Sequence, residues 1–359
     1  MRRAAALVLV AAAAGCTADG GHERERAERA EWIRSVEGSP ASIAADDELA
    51  VVVAHVVSAL EPCDAGTVRW EADVPGASLH PPALSEHTVL VSGGDHVAAL
   101  ERSSGLERWA ASVPAAGPVA LVTDPRGMEV ALVASEDGTL AARDADTGRL
   151  RWSMHHTGEL WAPPAVDDDA GAVAAVWSGF DDPRLRVVDL RSGAARWAVA
   201  VDSYVAAPIV VEGAVLVAQG NGDFSGRAVA YALADGAELW STPLPASFQP
   251  GTVPVADTGE IAAVDRLGTV TLLDVATGTI RWQRALRRPV LHTRVLLTPA
   301  AVVITDEWGE VVVLDRDDGA RRRRVRPGGF PVGAAVACDQ MLVALRLTEP
   351  GRVEAWPRP

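Results

Sequence analysis

The chain repeats one short motif at a nearly constant interval. The stretch LLDVATGTIRW at 272–282 places a tight Asp-to-Gly turn between two apolar strands and ends on a tryptophan. Related versions occur at 99–109, 143–152, 187–197 and 231–240. A repeat near 40 residues with strand-like contents predicts a β-propeller or a similar repeat array. The motif tryptophans lie 38 to 45 residues apart, at Trp32, Trp70, Trp109, Trp152, Trp197, Trp240 and Trp282.

Each repeat has the same internal order. A β-branched run such as AVLVAQ (214–219) is followed by a glycine turn, an alternating strand such as VVVLD (311–315), and then the motif turn and strand. This order predicts four short antiparallel strands per repeat. The motif glycine supplies a positive φ angle at the reversal. We expect the tryptophan to lie across the neighbouring repeat and to join two sheets that share no backbone hydrogen bonds.

The number of repeats follows from the two ends of the chain. Seven units contain the glycine turn, the last at 313–324, where arginine replaces tryptophan. The stretches 331–337, 341–347 and 352–356 then supply only three strands, and AEWIRSV at 30–36 has the phase of the missing outer strand. We therefore predict an all-β, eight-bladed β-propeller of four-stranded antiparallel blades, with its ring closed by the N-terminal strand. Seven blades are the alternative if the sequence of blade 1 is too degenerate to form a blade of its own.

The N-terminus has the pattern of an export signal. Two arginines precede an apolar run of eleven residues, which is too short to span a bilayer. The ending AAGC resembles a bacterial lipobox, so we predict a signal peptide at 1–15 and lipidation of Cys16. An ordinary signal peptide cut at an A-x-A site is the alternative. Residues 16–30 then form a polar tether and residues 31–359 the propeller.

Composition excludes several classes of function. The net charge is −15 and no strongly basic tract is present, which argues against a nucleic-acid partner. All 33 basic residues are arginine, so no Schiff-base or P-loop lysine is available. The sequence also lacks the G-x-S-x-G, H-E-x-x-H and G-x-x-x-x-G-K motifs. We therefore expect no catalytic residues.

The motif LLDVATGTIRW resembles the A-x-D-x-x-T-G-x-x-x-W tryptophan-docking motif of the pyrroloquinoline-quinone (PQQ)-like β-propeller repeat family. The resemblance covers about residues 31–359. This family includes quinoprotein alcohol dehydrogenases and the propeller lipoprotein of the outer-membrane β-barrel assembly machinery, to which this chain is similar. A quinoprotein would grip PQQ with arginine and tryptophan, bind calcium through oxygen ligands, and, in the alcohol dehydrogenases, cover the quinone with a disulfide of adjacent cysteines. Here no cysteines are adjacent and the one asparagine, Asn221, lies in a glycine-rich hairpin, so we expect no cofactor.

Histidine and aspartate pairs do not indicate a metal site. His155 and His156 are adjacent on an extended segment and point to opposite sides. The aspartates at 166–171 and 180–183 lack an EF-hand spacing, which favours solvated hairpin tips. The arginines at 321–324 fall on an outer strand, where charge discourages edge pairing. Contact with anionic lipid headgroups is the alternative for those arginines.

Aromatic residues outside the motif phase indicate an interaction surface. Trp161 falls in a connection between blades, while Trp177 and Trp308 fall at turns between the second and third strands of a blade. These two loop classes open on the same face of the ring, where Phe180 and Phe224 also fall. We predict that the five side chains are partly exposed on that face, because aromatic residues are enriched at binding surfaces.

The function that these features favour is a non-catalytic, membrane-anchored monomer. Its loop face would bind a protein, or a cell-wall glycan, at the outer face of the cell membrane. A secreted or periplasmic location is the alternative to anchoring. The competing functions are a PQQ-dependent quinoprotein oxidoreductase and a sensor that binds a small ligand in the central channel.

The two cysteines of the propeller are candidates for a disulfide. Cys63 falls in the turn between the third and fourth strands of the first blade, and Cys338 falls between the first and second strands of the last. Both turns open on one face, and the two blades are neighbours in a closed ring. Export permits oxidation, but the Cα atoms must lie within about 7 Å. The alternative is two buried free thiols.

Overall fold

Each repeat of the sequence forms one antiparallel sheet, and eight such sheets close into a ring. The architecture is therefore the predicted eight-bladed β-propeller, and the seven-blade alternative is wrong. Blade 8 takes its outer strand from the N-terminus, as the phase of residues 30–36 predicted. The computed structural model describes residues 30–357 except 77–79, 115, 125, 180, 221–224, 247–254, 258, 287–293, 306–309, 328, 339 and 347–349.

The strands are numbered in chain order, and β1 (Trp32–Val36) belongs to blade 8. Blades 1 to 4 contain β2 (Ser42–Ala45), β3 (Ala50–Val53), β4 (Val57–Glu61) and β5 (Thr67–Ala72); β6 (Ala83–Leu84), β7 (Thr88–Gly93), β8 (His96–Glu101) and β9 (Glu107–Ser112); β10 (Ala116–Thr123), β11 (Glu129–Ser135), β12 (Thr139–Asp144) and β13 (Leu150–His155); β14 (Ala165–Asp167), β15 (Ala172–Trp177), β16 (Arg184–Asp189) and β17 (Ala195–Ala200). Blades 5 to 8 contain β18 (Tyr204–Val205), β19 (Ile209–Val211), β20 (Ala214–Gly220), β21 (Gly226–Ala232) and β22 (Glu238–Leu244); β23 (Val255–Asp257), β24 (Glu260–Val264), β25 (Thr269–Asp274) and β26 (Ile280–Ala285); β27 (Arg294–Leu297), β28 (Ala301–Thr305), β29 (Val311–Asp315) and β30 (Arg321–Val325); β31 (Phe330–Ala337), β32 (Gln340–Arg346) and β33 (Gly351–Pro357), completed by β1.

Blade 5 differs from the others because its first strand is split. Both β18 and β19 pair with β20. Pro208 lies between the two pieces and has no backbone N–H to donate, so the ladder cannot run through it.

The hydrophobic core lies between the blades. The first strands of neighbouring blades approach one another around the ring, including β2 against β31 where the ring closes, so the first strands surround the axis and the fourth strands form the rim. Every residue of β15 is buried, because this strand is covered on both sheet faces. The described residues form eight apolar clusters, each shared by two neighbouring blades. The middle strands therefore need continuous apolar sequences rather than alternating ones.

The motif tryptophan couples each blade to the next. In blade 3 the Trp152 indole Nε1–H donates to the backbone oxygen of Leu190 in blade 4 at 2.8 Å. Trp152 is only 8% exposed. The acceptor residue directly follows the third strand, so the bond ties the outer strand of one sheet to the middle of the next. Equivalent bonds of 2.7–2.9 Å run from Trp70 to Arg102, Trp109 to Ala145, Trp197 to Leu233, Trp240 to Val275 and Trp282 to Arg316.

The motif glycine is required for two physical reasons, and the sequence pattern predicts only the first, a positive φ angle. Gly193 has a φ of +69°, a conformation that favours glycine. It also lies directly against the ring of Trp152, because a Cβ built on Gly193 would be 2.7 Å from Cδ2 of that ring. The glycine and the tryptophan thus form one packing unit between blades 3 and 4. The same contact joins Gly66 to Trp32, Gly105 to Trp70, Gly148 to Trp109, Gly236 to Trp197, Gly278 to Trp240 and Gly319 to Trp282.

The residue before the tryptophan forms a β-bulge. Arg151 is the extra residue in the pairing of β12 with β13. Its guanidinium lies 2.9 Å from the carboxylate of Asp144, and that carboxylate also accepts the amide N–H of Thr147 in the turn. Blade 5 has Ala232 and Leu239 at the acidic and basic positions, so both partners of the ion pair are absent together. The pair recurs as Arg69 with Glu61, Arg196 with Asp189, Arg281 with Asp274 and Arg322 with Asp315.

Arg323 replaces the docking tryptophan of blade 7 and keeps its role as a donor. Its Nη2 donates to the backbone oxygen of Pro357, which ends the third strand of blade 8. The aromatic ring at this junction belongs to blade 8. Trp356 of β33 is buried in the apolar cluster between blades 7 and 8. Neighbouring arginines of the run are held by acids of their own blade, Arg322 by Asp315 and Arg324 by Glu310.

The junction that closes the ring is built differently. The Trp32 ring rests on Gly66 of blade 1, but its Nε1–H donates to Gln340 of its own blade at 2.8 Å. A disulfide between Cys63 and Cys338 crosses the same junction, with the Cα atoms 5.4 Å apart. The two cysteines are therefore bridged rather than free thiols. The bridge lies at the junction where the tryptophan N–H does not bond to the neighbouring blade.

The double role of the motif glycine predicts a difference between two glycine substitutions. Gly193→Ala should destabilise the fold by about 2–4 kcal/mol, because a strained φ and a clash with Trp152 add together. Gly213 has a similar φ of +74° but no atom within 4 Å of a built Cβ. Gly213→Ala should therefore cost only about 1 kcal/mol. Denaturant unfolding of both variants tests this, and equal losses would contradict the packing role.

The disulfide should contribute strongly to stability, because it closes a loop of 275 residues. The chain-entropy model gives on the order of 5 kcal/mol for such a loop. We expect reductant to lower the unfolding midpoint of the protein. The Cys63→Ser variant should start at the lower midpoint and show no further response to reductant. A reductant-independent midpoint in the unaltered protein would argue against the bridge.

Candidate functional site

The two faces of the ring carry different kinds of loop. We use the term motif face for the end with the turns between first and second strands and between third and fourth strands. The loop face is the other end, with the turns between second and third strands and the connections between blades. The docking turns and the disulfide lie on the motif face. The predicted aromatic surface belongs to the loop face, where 156–164 connects blades 3 and 4 and 178–183 links β15 to β16.

The five predicted surface aromatics do not form one exposed patch. Phe180, Phe224 and Trp308 lie outside the described residues. Trp161 is 38% exposed on the loop face. Trp177 is fully buried at 0% exposure, so the prediction of an exposed Trp177 is wrong.

Trp177 is buried because it joins blades 3 and 4. In β15 it shares a side of the strand with Val173 and Ala175, and that side packs on blade 3. Its Nε1–H donates to the backbone oxygen of Gly138 in blade 3 at 2.7 Å. Trp152 already couples these blades at the motif face, so Trp177 adds a second tryptophan bond at the loop face. The sequence carries a signal for this burial. In the run AVAAVW, Trp177 follows Val173 and Ala175 at intervals of two residues and so lies on the same side of the strand.

A polar network covers the outer side of Trp177. The Arg186 guanidinium lies 5.8 Å from the Trp177 ring centroid and donates to His156 Nδ1 at 3.1 Å. A guanidinium only donates, so Nδ1 is the acceptor and His156 Nε2 carries the proton that faces the backbone oxygen of Asp182 at 3.2 Å. The Asp182 carboxylate binds Arg184 at 2.8 Å. The Arg184 guanidinium, with a smaller contribution from Arg186, holds the pKa of Asp182 below its usual range.

Trp161 stands above this network on a fixed backbone. Glu159 and Ser178 form an antiparallel bridge, with both backbone N–H···O bonds at 3.0 Å. Leu160 and Ala162 on either side of Trp161 are buried, which directs the Trp161 ring outward. The Trp161 Nε1–H donates to the Glu159 carboxylate at 2.6 Å. Sequence reasoning identified Trp161 but missed Glu159, whose role depends on this bridge between blades.

The described residues do not fit a quinone–calcium site. Their one disulfide links cysteines 275 residues apart on the motif face, not adjacent cysteines over a ligand. Within the described ranges no group of three or more His, Cys, Asp or Glu is placed to hold a metal ion. His155 is exposed, whereas His156 is held by Arg186, so the two do not converge. Nor does this part of the chain contain a helix long and apolar enough to cross a membrane.

The sequence matches the family model described as outer membrane protein assembly factor BamB, over residues 17–128, 53–225 and 224–331. The chain belongs to this family. BamB of Yersinia pestis is 25% identical over 304 residues, which are 81% of this chain and 65% of that protein. BamB of Bordetella pertussis is 26% identical over 227 residues, covering 60% of this chain and 56% of that protein.

A relative with another name matches a smaller part of the chain. The serine/threonine-protein kinase AfsK of Streptomyces griseus is 29% identical over 171 residues, which are 42% of this chain and 20% of the kinase. This chain thus spans less than two thirds of the length of the curated relatives described here.

Solved structures show the same fold. The crystal structure of BamB from Moraxella catarrhalis has a TM-score of 0.73 at 15% identity and covers 91% of this chain and 99% of that one. A europium-containing methanol dehydrogenase also gives 0.73 at 12% identity, covering 92% of this chain and 93% of the enzyme. At these identities the likeness concerns the fold alone, and a BamB and a dehydrogenase match equally well.

The different environments of Trp177 and Trp161 predict a large loss of stability on substituting the first residue and almost no change on substituting the second. Trp177→Phe should cost about 1–3 kcal/mol, because it removes the indole hydrogen bond to the Gly138 oxygen, which keeps only the His156 N–H, and leaves unfilled space at a fully buried position. Trp161→Phe should change stability by less than about 0.5 kcal/mol, since the side chain is exposed. Unfolding midpoints of the two variants provide the test. A neutral Trp177→Phe would remove the second coupling between blades 3 and 4.

Proposed function

We propose that this chain is an exported, lipid-anchored and non-catalytic propeller that binds a protein partner through its loop face. The observation that carries this proposal is the exposed, rigid Trp161 on the face opposite the one where the described chain begins. The relatives are named assembly factors of outer membrane proteins, which supports a protein partner over a small-molecule substrate.

The position of the N-terminus orients the two faces. The Glu31 amide donates to Ala355 at 2.7 Å, so the described chain begins beside the end of β33 on the motif face. Cys16 lies outside the described residues, as does the predicted signal peptide. A tether of 15 residues from Cys16 to Ala30 reaches at most about 50 Å. Lipidation of Cys16 would thus attach the anchor on the side of the motif face, which leaves the loop face free to point away from the membrane.

Most of the described contacts between blades lie on the motif face, whereas the loop face has the buried bond from Trp177 to Gly138. Six tryptophan bonds, the bulge ion pairs and the disulfide occupy the motif face. A partner that bound there would compete with contacts that hold the blades together. Binding at the loop face requires no such exchange.

Photocrosslinking from both faces tests the proposal in intact cells. A benzophenone side chain at exposed positions Asp137 or His155 of the loop face should give a discrete adduct. The same probe at exposed positions Thr147 or Ala170 of the motif face should not. Release of the chain from membranes by Cys16→Ser checks the anchor separately.

Two results would overturn this function. One is a set of adducts that arises from the motif face alone. The other is turnover of an alcohol or sugar after PQQ and calcium are added to the purified protein, which would establish an oxidoreductase instead.

A further inference from the structure

Trp161 has the features of a preformed aromatic contact rather than a loose surface residue. Its backbone is fixed by the Glu159–Ser178 bridge and by burial of Leu160 at 0% exposure. Its indole N–H is bound by the Glu159 carboxylate, so the donor of this ring is already used within the chain. What remains for a partner is the apolar ring itself, with a carboxylate beside it.

Acidic side chains lie on both sides of the bridge that holds this ring. Glu159 is on one side, and Ser178 on the other side is followed three residues later by the exposed Asp181. Two arginines lie on β16 nearby, but Arg184 binds Asp182 and Arg186 binds His156. Neither guanidinium belongs to the Trp161 ring among the described contacts. Among the described contacts, then, no cation of this chain lies over the Trp161 ring.

We propose that the loop face binds an arginine or lysine side chain of the protein partner, with the cation over the Trp161 ring and beside the Glu159 carboxylate. This rests on the proposed function and specifies the chemistry of the partner. The face of an indole attracts cations, and an adjacent carboxylate adds a charge-assisted hydrogen bond. Because the ring and the carboxylate are already held together, binding needs little ordering of either group.

The site can be tested without the partner by indole N–H NMR spectroscopy of the ¹⁵N-labelled full chain. The Trp161 resonance is assigned by its loss in Trp161→Phe. Titration with N-acetyl-arginine methylamide should shift this resonance in a saturable way. The citrulline analogue has the same shape without the charge and should shift it little. Equal shifts with both compounds, or none with either, would overturn the site.

Charge variants locate the effect. Glu159→Gln should weaken the arginine response of Trp161 by up to about fivefold, the upper range for losing one exposed ion pair. Glu107→Gln removes the same charge from an exposed position on the motif face and should leave the titration unchanged. A general response to the negative charge of the protein would instead weaken equally in both variants, and that result contradicts a specific site.

Crosslinking separates this inference from the proposed function. Glu159→Lys should reduce the loop-face adduct at least about fivefold, because it places a like charge where the partner's cation binds. Undiminished loop-face adducts in Glu159→Lys would refute the cation site and leave the loop-face function standing. A specific arginine response without any loop-face adduct would support the site and refute the function.

Discussion

The ring depends on one contact, in which the tryptophan of a blade lies on the turn glycine of the next blade, at seven of the eight junctions. Neighbouring sheets share no backbone ladder, so side chains must supply both attraction and registry between them. The indole does both, since its ring buries a large apolar area and its N–H is directed to one carbonyl oxygen. The glycine is the other half of the contact, because any Cβ would hold the ring away from that oxygen, as at Gly193 and Trp152. This explains why the two residue types recur together through the chain.

Periodicity predicted the architecture well because the contact repeats with the blade. The spacing of the tryptophans and the phase of residues 30–36 led to eight blades and to N-terminal closure, and both agree with the sheet topology. The same reasoning placed Cys63 and Cys338 on one face of neighbouring blades. It failed for Trp177, because the loop class of a residue gives its height along the strand but not the side to which its side chain points. Glu159 was not recognised, since its role arises from a bridge to Ser178 that no local pattern encodes.

The junctions around blade 8 show what happens where the contact is incomplete. Arg323 keeps the donor without the ring, and Trp356 supplies the ring from the other side. Trp32 keeps the ring on Gly66 but turns its N–H to Gln340, and there the structure has a covalent bridge. Each substitute restores the half of the interaction that is missing. The seam therefore follows the same physical requirement as the regular junctions, with different chemistry.

The division between the faces follows from where the docking contact lies. Six motif tryptophans bind carbonyl oxygens at the motif face, so the sequence of that face is constrained by assembly. The loop face is constrained at blades 3 and 4 by the extra bond of Trp177 to Gly138. That bond buries the Trp177 side chain, which is then not available at the surface. It also holds the end of β15 against blade 3. Because the segment that carries Trp161 is bridged to Ser178, the residue after Trp177, the bond of Trp177 also helps to position the exposed tryptophan. The buried Trp177 and the exposed Trp161 are thus linked through the bridge between Glu159 and Ser178.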